Sequence, residues 1–238
     1  MIAGRPSMGK SALAGNIALR AALAGNRAGV LSLEMAAGSF VRRWLADLSG
    51  IEATRLRDGT LEAWHWPLLT EACDRLAALA VHIDDTPGLS DLEVRRRVRA
   101  LHRRHPDLAI VVVDYLQLLE GERADERHSR EESVAAASRR IKALARELSI
   151  HVLLVAQLNR KVEDRLSKRP NLGDLRESGA IEMDADRVLF IYRDDYYHPD
   201  SPKRGVAELI VAKQREGGTG TVEVAWTPHA LRFGAKAG

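Results

Sequence analysis

Two rhythms of apolar residues alternate along the chain. Ala12, Leu13, Ile17, Ala18 and Ala21 recur at helical spacing with no proline among them, and predict a helix just after a glycine-rich start. Gly29 to Leu33 reads as a short buried strand, and Phe40 to Leu48 and Leu61 to Leu79 read as helices. Ala80 to Ile83 reads as a strand running into a turn at Asp84-Asp85-Thr86-Pro87-Gly88. Ser90 then caps a helix, with Glu93 in capping-box position and Val94, Val98 and Leu101 as its apolar stripe.

Leu108 to Val113 is the most strand-like run, continuously apolar and β-branched, as a central parallel strand buried on both faces should be. Glu120 to Glu132, charged and with a glycine, reads as an exposed loop, and Val134 to Leu148 as an amphipathic helix. Ile150 to Ala156, Val188 to Tyr192 and Leu209 to Ala212 are further strands. Val222 to Trp226 and Ala230 to Phe233 form a closing hairpin around Thr227-Pro228. Strands alternating with helices predict βαβ units, hence an α/β fold with a mostly parallel central sheet flanked by helices and a C-terminal β-hairpin. No internal repeat or low-complexity linker interrupts the pattern, so residues 1–238 read as one domain.

Composition narrows this little. A length of 238 residues, 45% of them hydrophobic, suits one large α/β domain. The 36 basic and 33 acidic residues leave a net charge of +3, so any nucleic-acid site must be local. Arg95, Arg96, Arg97, Arg99, Arg103 and Arg104 crowd the outer faces of the Ser90 helix, where a solvated face is a simpler reading than a DNA groove. Cys73, the single cysteine, forms no intrachain disulfide and fits a reducing compartment. It falls with Leu69 and Leu76 on one helical face, the pattern of a core thiol. No apolar run approaches ~18 residues and no signal peptide is visible, so the chain is expected to be cytoplasmic, without a membrane partner.

The chemistry begins almost at once. Gly4-Arg5-Pro6-Ser7-Met8-Gly9-Lys10-Ser11 is G-x-x-x-x-G-K-S, the P-loop pattern that cradles nucleotide phosphates. Its glycines allow a tight turn whose N–H groups point at an anion, and the following helix adds the positive end of its dipole. Lys10 can reach the β- and γ-phosphates, and the Ser11 hydroxyl can complete a Mg²⁺ shell. The loop needs a strand before it, yet only Met1-Ile2-Ala3 precede Gly4. The strand is therefore expected to be nearly absent and the chain to begin inside a domain.

Asp114 ends the apolar strand, the expected place for a second Mg²⁺ partner acting through water. Tyr115 follows it where many such ATPases carry a catalytic glutamate, so the base must come from elsewhere. Glu34 ends the strand Gly29–Leu33 and is either that base or a plain strand-end carboxylate. Gln157 ends the strand Ile150–Ala156, where it either senses a γ-phosphate or caps a turn. Lys213 and Arg215 follow the strand Leu209–Ala212. Two cations there can stabilise charge developing in phosphoryl transfer, although such a triplet on its own is more often a basic turn. His102 and His105 read as a solvated pair rather than a metal site, and neither His-Glu-x-x-His nor Gly-x-Ser-x-Gly occurs. Asn-Lys-x-Asp, a guanine-reading pattern, is also absent, which favours ATP.

Taken together these segments resemble the RecA-like C-terminal motor domain of bacterial and phage replicative DNA helicases of the DnaB type. The markers are Ala3 to Ser11, Ser32-Leu33-Glu34-Met35, Val113-Asp114-Tyr115-Leu116-Gln117, Gln157-Leu158-Asn159-Arg160, Asp174-Leu175-Arg176-Glu177-Ser178-Gly179, Ile181 to Asp186 and Lys213-Gln214-Arg215. The resemblance implies that Lys10 and Ser11 bind phosphate and Mg²⁺, that Glu34 is the catalytic base and that Asp114 is the Mg²⁺-side aspartate. It implies that Gln157 couples the γ-phosphate to a DNA-facing loop bearing Arg176, Glu177 and Gly179. Lys213 and Arg215 would act in trans on a neighbour's nucleotide. The implied whole is a homo-hexameric ring that hydrolyses ATP to step along single-stranded DNA, with primase and a helicase loader as partners through N-terminal parts. Two alternatives are a nucleotide- and ssDNA-binding module that does not unwind alone, and a related RecA-like ATPase of recombination or regulation.

Overall fold

A computed structural model describes residues 1–114 and 130–236, with the backbone alone of residues 130, 131 and 176–181. Among the described residues nine strands form one sheet. They are β1 (Ile2–Gly4), β2 (Arg27–Ser32), β3 (Val81–Asp84), β4 (Leu108–Asp114), β5 (His151–Gln157), β6 (Arg187–Tyr192), β7 (Val206–Gln214), β8 (Gly220–Thr227) and β9 (Arg232–Gly234). Their spatial order is β3-β2-β4-β5-β1-β6-β7-β8-β9. The first six are parallel. The last three are antiparallel, closing in the expected hairpin between β8 and β9.

The strand before the phosphate loop is present, which corrects the expectation of its near absence. Only three residues long, β1 lies in the middle of the sheet and is fully buried. Ile2 pairs with Val155 on one side and Leu189 on the other, so each residue is held from two directions. A short strand with two partners is stable where a lone one would fray.

The helices are α1 (Lys10–Leu23), α2 (Ala37–Ser49), α3 (Ala53–Asp58), α4 (His65–Ala77), α5 (Asp91–Arg104), α6 (Arg130–Glu147), α7 (Gly179–Asp184) and α8 (Asp194–Tyr197). Successive residues of the buried strands face opposite layers. Val30 and Val112 pack with Leu13, Leu19, Phe40 and Trp44 of α1 and α2. Leu31, Val111 and Val113 pack with Val94 and Val98 of α5 and with Ile141 and Leu144 of α6. Each such side chain contributes about 1.5–3 kcal/mol on burial. Trp44 also donates from Nε1 to the Gly15 carbonyl at 3.0 Å, and a Cβ at Gly15 would press on the Phe40 ring at 3.3 Å.

The Ser90 capping box forms as expected, with both reciprocal bonds to Glu93. The turn after β3 supplies a second cap: Asp85 Oδ2 accepts from Ala37 N at 2.8 Å, at the start of α2. Glu120 to Asp125, Glu126 and the rest of the expected loop up to residue 129 lie outside the described residues, as do Tyr115, Leu116 and Gln117, while Arg130 to Glu132 are already helical. The helix expected over Leu61–Leu79 starts later, at His65, because Pro67 has no N–H and fits only the first turn. Cys73 is exposed, which corrects its reading as a core thiol. The buried face of α4 runs through His65 and Ala72, and Cys73 lies about 100° round from Ala72.

Several arginines of α5 are structural. Arg97 bonds Asp84 and Thr86, and Arg99 makes a two-pronged bond to Glu147 at 2.8 and 2.7 Å. Arg96, Arg103 and Arg104 remain solvated. No helix among the described residues is long and apolar enough to cross a membrane.

Candidate active site

The glycine-rich segment leaves the carboxyl end of β1 at Gly4 and enters α1 at Lys10, so its backbone turns across the edge of the sheet. Gly9 caps the helix at φ 96°, a left-handed conformation that a side chain disfavours. Space excludes one too, because a Cβ there would sit 2.8 Å from Phe233 of β9. Phe233 is itself held by its N–H on Asn16 Oδ1 at 2.9 Å, so the C-terminal hairpin braces the loop. Ser7 also has positive φ, 63°. Pro6 and Ser7 are exposed, while the Met8 side chain is sunk in the core and anchors the turn. The Arg5 side chain points away from the cradle, toward Glu163 and the Leu158 carbonyl.

Lys10 donates to the Arg5 carbonyl at 3.0 Å. Burial lowers its pKa to about 8, against the opposing pull of Asp114 and Glu34. The carboxylates come from the next strands. Ser32 pairs with Asp114 across β2 and β4, and Leu33 N donates to the Asp114 carbonyl at 2.7 Å. That register sets Glu34 just beyond Asp114. The turn carrying Glu34 is clamped by the Ser32 hydroxyl, which donates to Met35 O at 2.6 Å and accepts from Met35 N at 3.1 Å. Glu34 itself is exposed.

Asp114 is 1% exposed, and among the described residues neither carboxylate oxygen has an aligned hydrogen-bond partner. Burial raises its pKa above the ordinary carboxylate value, with Glu34 adding to the rise. The neighbouring Ser11 hydroxyl, Lys10 and Arg43 pull the other way. An orphaned, buried carboxylate beside a hydroxyl is a fit environment for a divalent cation.

Arg43 of α2 is a member of this cluster that the sequence reading missed. Its guanidinium is lowered from its ordinary value by burial, offset by Asp114 and Glu34. No local pattern marks it: Arg43 reaches the cluster only because α2 packs with α1 against the sheet.

Gln157 ends β5 level with Gly4 of β1, which places it at the mouth of the loop. The chain then makes a short 3₁₀ turn, Arg160–Asp164, and a second one, Leu172–Ser178, before α7. Asn159 N donates to the Asp174 carbonyl at 3.2 Å, so the backbone of Arg176, Glu177 and Gly179 leaves from beside Gln157.

Lys213 and Arg215 do not join their own chain's phosphate loop. Because β7 is antiparallel, Lys213 pairs with Val188 and Gln214 with Arg187, at the amino-terminal edge of the parallel strands. The length of β6, about 20 Å, separates that edge from the loop. Lys213 donates to the Glu182 and Met183 carbonyls at the end of α7, and Arg215 pairs with Asp186 at 3.2 Å. A cavity of about 590 Å³, lined by Met1, Lys142, Asp186 and Arg215 among others, opens at the same edge and is remote from the nucleotide loop. The His82 and His105 rings lie 4.7 Å apart, tilted by 33°, and no cluster of metal-ligating side chains occurs among the described residues.

A parallel sheet with a phosphate loop at its central strand and an orphaned aspartate two strands away defines a RecA-like P-loop nucleotide-binding domain. Residues 1–235 match the family described as DnaB-like helicase C terminal domain, and the chain belongs to that family. It is 43% identical over 234 residues to the replicative DNA helicase DnaB of Geobacillus stearothermophilus, covering 98% of this chain and 51% of that protein. It is 42% identical to the replicative DNA helicase DnaC of Bacillus subtilis (strain 168), with the same coverage. The chain thus spans about half the length of these relatives. A solved DnaB-like replicative helicase, described with its interactions with primase, superposes with a TM-score of 0.94 at 36% identity. It covers 99% of this chain and 57% of that one. A solved ATPase domain gives the same TM-score and identity, covering 99% and 84%.

Proposed function

We propose that residues 1–238 act as one RecA-like motor domain that hydrolyses ATP to translocate on single-stranded DNA and separate duplex DNA within a ring hexamer. One observation carries this reading: the phosphate loop, Glu34, Asp114 and Gln157 share one edge of the sheet, whereas Lys213 and Arg215 stand at the other. A site split in this way is completed by the next subunit, and hydrolysis then depends on assembly.

The backbone N–H groups of the segment Gly4 to Gly9 and the Lys10 ammonium bind the phosphates. Ser11 and Asp114 hold Mg²⁺, which neutralises phosphate charge when bound. Glu34, at the exposed lip, orients a water and takes its proton as the oxygen attacks the γ-phosphorus. A neighbour's Lys213 and Arg215 stabilise the charge that develops on the leaving β-phosphate. Gln157 reads the γ-phosphate, and the backbone of Arg176, Glu177 and Gly179 tracks DNA phosphates in a sequence-independent way. Primase and a helicase loader are proposed as further partners and the cytoplasm as the site of action. A structural relative is described with primase.

The test is ATP turnover with and without single-stranded DNA, with Lys10→Ala as the blank. DNA-stimulated turnover that Lys10→Ala abolishes supports the motor. Turnover that survives Lys10→Ala removes the phosphate loop from the reaction. Because the chain spans half the length of its relatives, a second reading is an ATP- and ssDNA-binding module that does not unwind alone. Strand displacement by this chain excludes it.

A further inference from the structure

Arg5 lies inside the phosphate loop, yet its side chain serves another part of the molecule. It is 6% exposed. Its Nε donates to Glu163 Oε1 at 3.0 Å and one terminal nitrogen donates to the Leu158 carbonyl at 2.8 Å. Its carbonyl accepts from the Lys10 ammonium at 3.0 Å and from Met8 N at 3.3 Å. One residue therefore touches the phosphate-binding lysine with its backbone and the segment after Gln157 with its side chain.

On either side of Glu163 further bonds hold the segment that carries it. The 3₁₀ turn Arg160–Asp164 begins at Asn159, whose Oδ1 accepts from Lys161 N at 3.1 Å, and Val162 within it is fully buried. Two residues past Glu163, Arg165 donates to Asp174 Oδ2 at 2.7 Å and to the Arg169 carbonyl at 3.0 Å. Asp174 also accepts from Asn171 N at 2.8 Å, and Leu175 packs with Leu158, Ala3 and Phe190. Between Arg165 and Asp174 the segment is pinned to β7 by a two-pronged bond from Arg169 to Glu208, at 2.7 and 2.8 Å. The segment from Leu158 to Asp174 is thus a strut with one foot on β7 and the other on the phosphate loop. Its last residue stands two positions before Arg176.

We propose that the Arg5–Glu163 ion pair is the mechanical link by which nucleotide at the phosphate loop sets the position of the segment that follows Asp174, and so its affinity for single-stranded DNA. Glu163 is a positioning residue, and the inference rests on the ATP- and DNA-binding reading above. A ligand that draws Lys10 toward phosphate removes a bond from the Arg5 carbonyl, and Arg5, itself buried, carries the change to the more exposed Glu163 through a charged hydrogen bond. Charged groups held in fixed geometry transmit small displacements because packed surroundings do not deform continuously.

The test measures binding of labelled oligo(dT) to the full chain with Mg²⁺, with and without the slowly hydrolysed analogue ATPγS. In the wild type, ATPγS changes the ssDNA dissociation constant by about 5-fold or more. In Glu163→Gln, each ligand alone binds within about 2-fold of wild type, but the ratio falls to about 1. Glu163→Asp recovers part of it. A Glu163→Gln protein that keeps the full ratio overturns the link while leaving the functional reading intact. A wild type that binds neither ligand overturns both. Hydrogen exchange on the wild type gives a reading independent of any variant: ATPγS should alter protection of amides between residues 158 and 175, and unchanged exchange there overturns the link.

Discussion

The two edges of the sheet use similar side chains in opposite ways. At the carboxyl edge of the parallel strands, Asp114 is buried with no aligned partner among the described residues, and Lys10 is desolvated and bonded to a carbonyl. At the amino edge, Asp186 binds Lys142 and Arg215, and Lys213 rests on carbonyls of α7. Burial without pairing costs stability and is tolerated where a ligand supplies the missing partner. Half-exposed pairing costs little and holds cations where another subunit can meet them. The first edge is a site waiting for charge, and the second, in our proposal, is the charge that a neighbour receives.

The strongest way to break this comparison is Arg215→Ala. Turnover should fall by about 10³-fold or more, with nucleotide binding unchanged. Mixing Arg215→Ala with Lys10→Ala subunits should restore activity, since an intact loop then meets an intact finger. A mixture that stays inactive places Arg215 outside the neighbour's site. Glu34→Gln tests the other edge: turnover should drop by about 10²–10⁴-fold while ATP affinity, followed by a fluorescent nucleotide, is retained.

Stability separates the edges with smaller effects. Asp114→Asn should raise the unfolding free energy in urea by about 1 kcal/mol while abolishing turnover, because it neutralises a carboxylate whose burial outweighs the help of Ser11, Lys10 and Arg43. Asp186→Asn should lower it by less than about 1 kcal/mol, because the pair it breaks is half exposed and screened.

Acid titration gives the signs. The Lys142 bond, ahead of other causes, holds Asp186 below its ordinary value. Its contribution to stability is present above the unfolded value near ~4 and lost as pH falls through the folded one. Asp114 is raised by burial, so its cost is absent in acid and grows as pH climbs past ~4 toward the folded value. Lys10 acts at the other end. With a folded value of about 8 against 10.5 for the free group, the wild type should gain stability relative to Lys10→Met as pH rises across that interval. A flat difference profile removes the desolvated lysine from the comparison.

Much of the first edge was legible along the chain because its markers are local. The G-x-x-x-x-G-K-S spacing is a covalent pattern, and Asp114 announces itself by ending an apolar, β-branched run. The capping box at Ser90 is equally local and formed as read. Arg43, the grip of Phe233 on Gly9 and the exposure of Cys73 were not legible, since each depends on which element packs against which.

By itself the chain determined the α/β rhythm, the phosphate loop, the strand ends at Asp114 and Gln157 and the strand just before Glu34, because burial period and loop spacing are properties of consecutive residues. Tertiary structure alone decided that a three-residue β1 is a sound central strand, since its stability comes from β5 and β6. It alone decided that Lys213 and Arg215 face away from their own phosphate loop. Their strand reads the same in either direction, and only antiparallel pairing with β6 chose the edge on which its cations emerge.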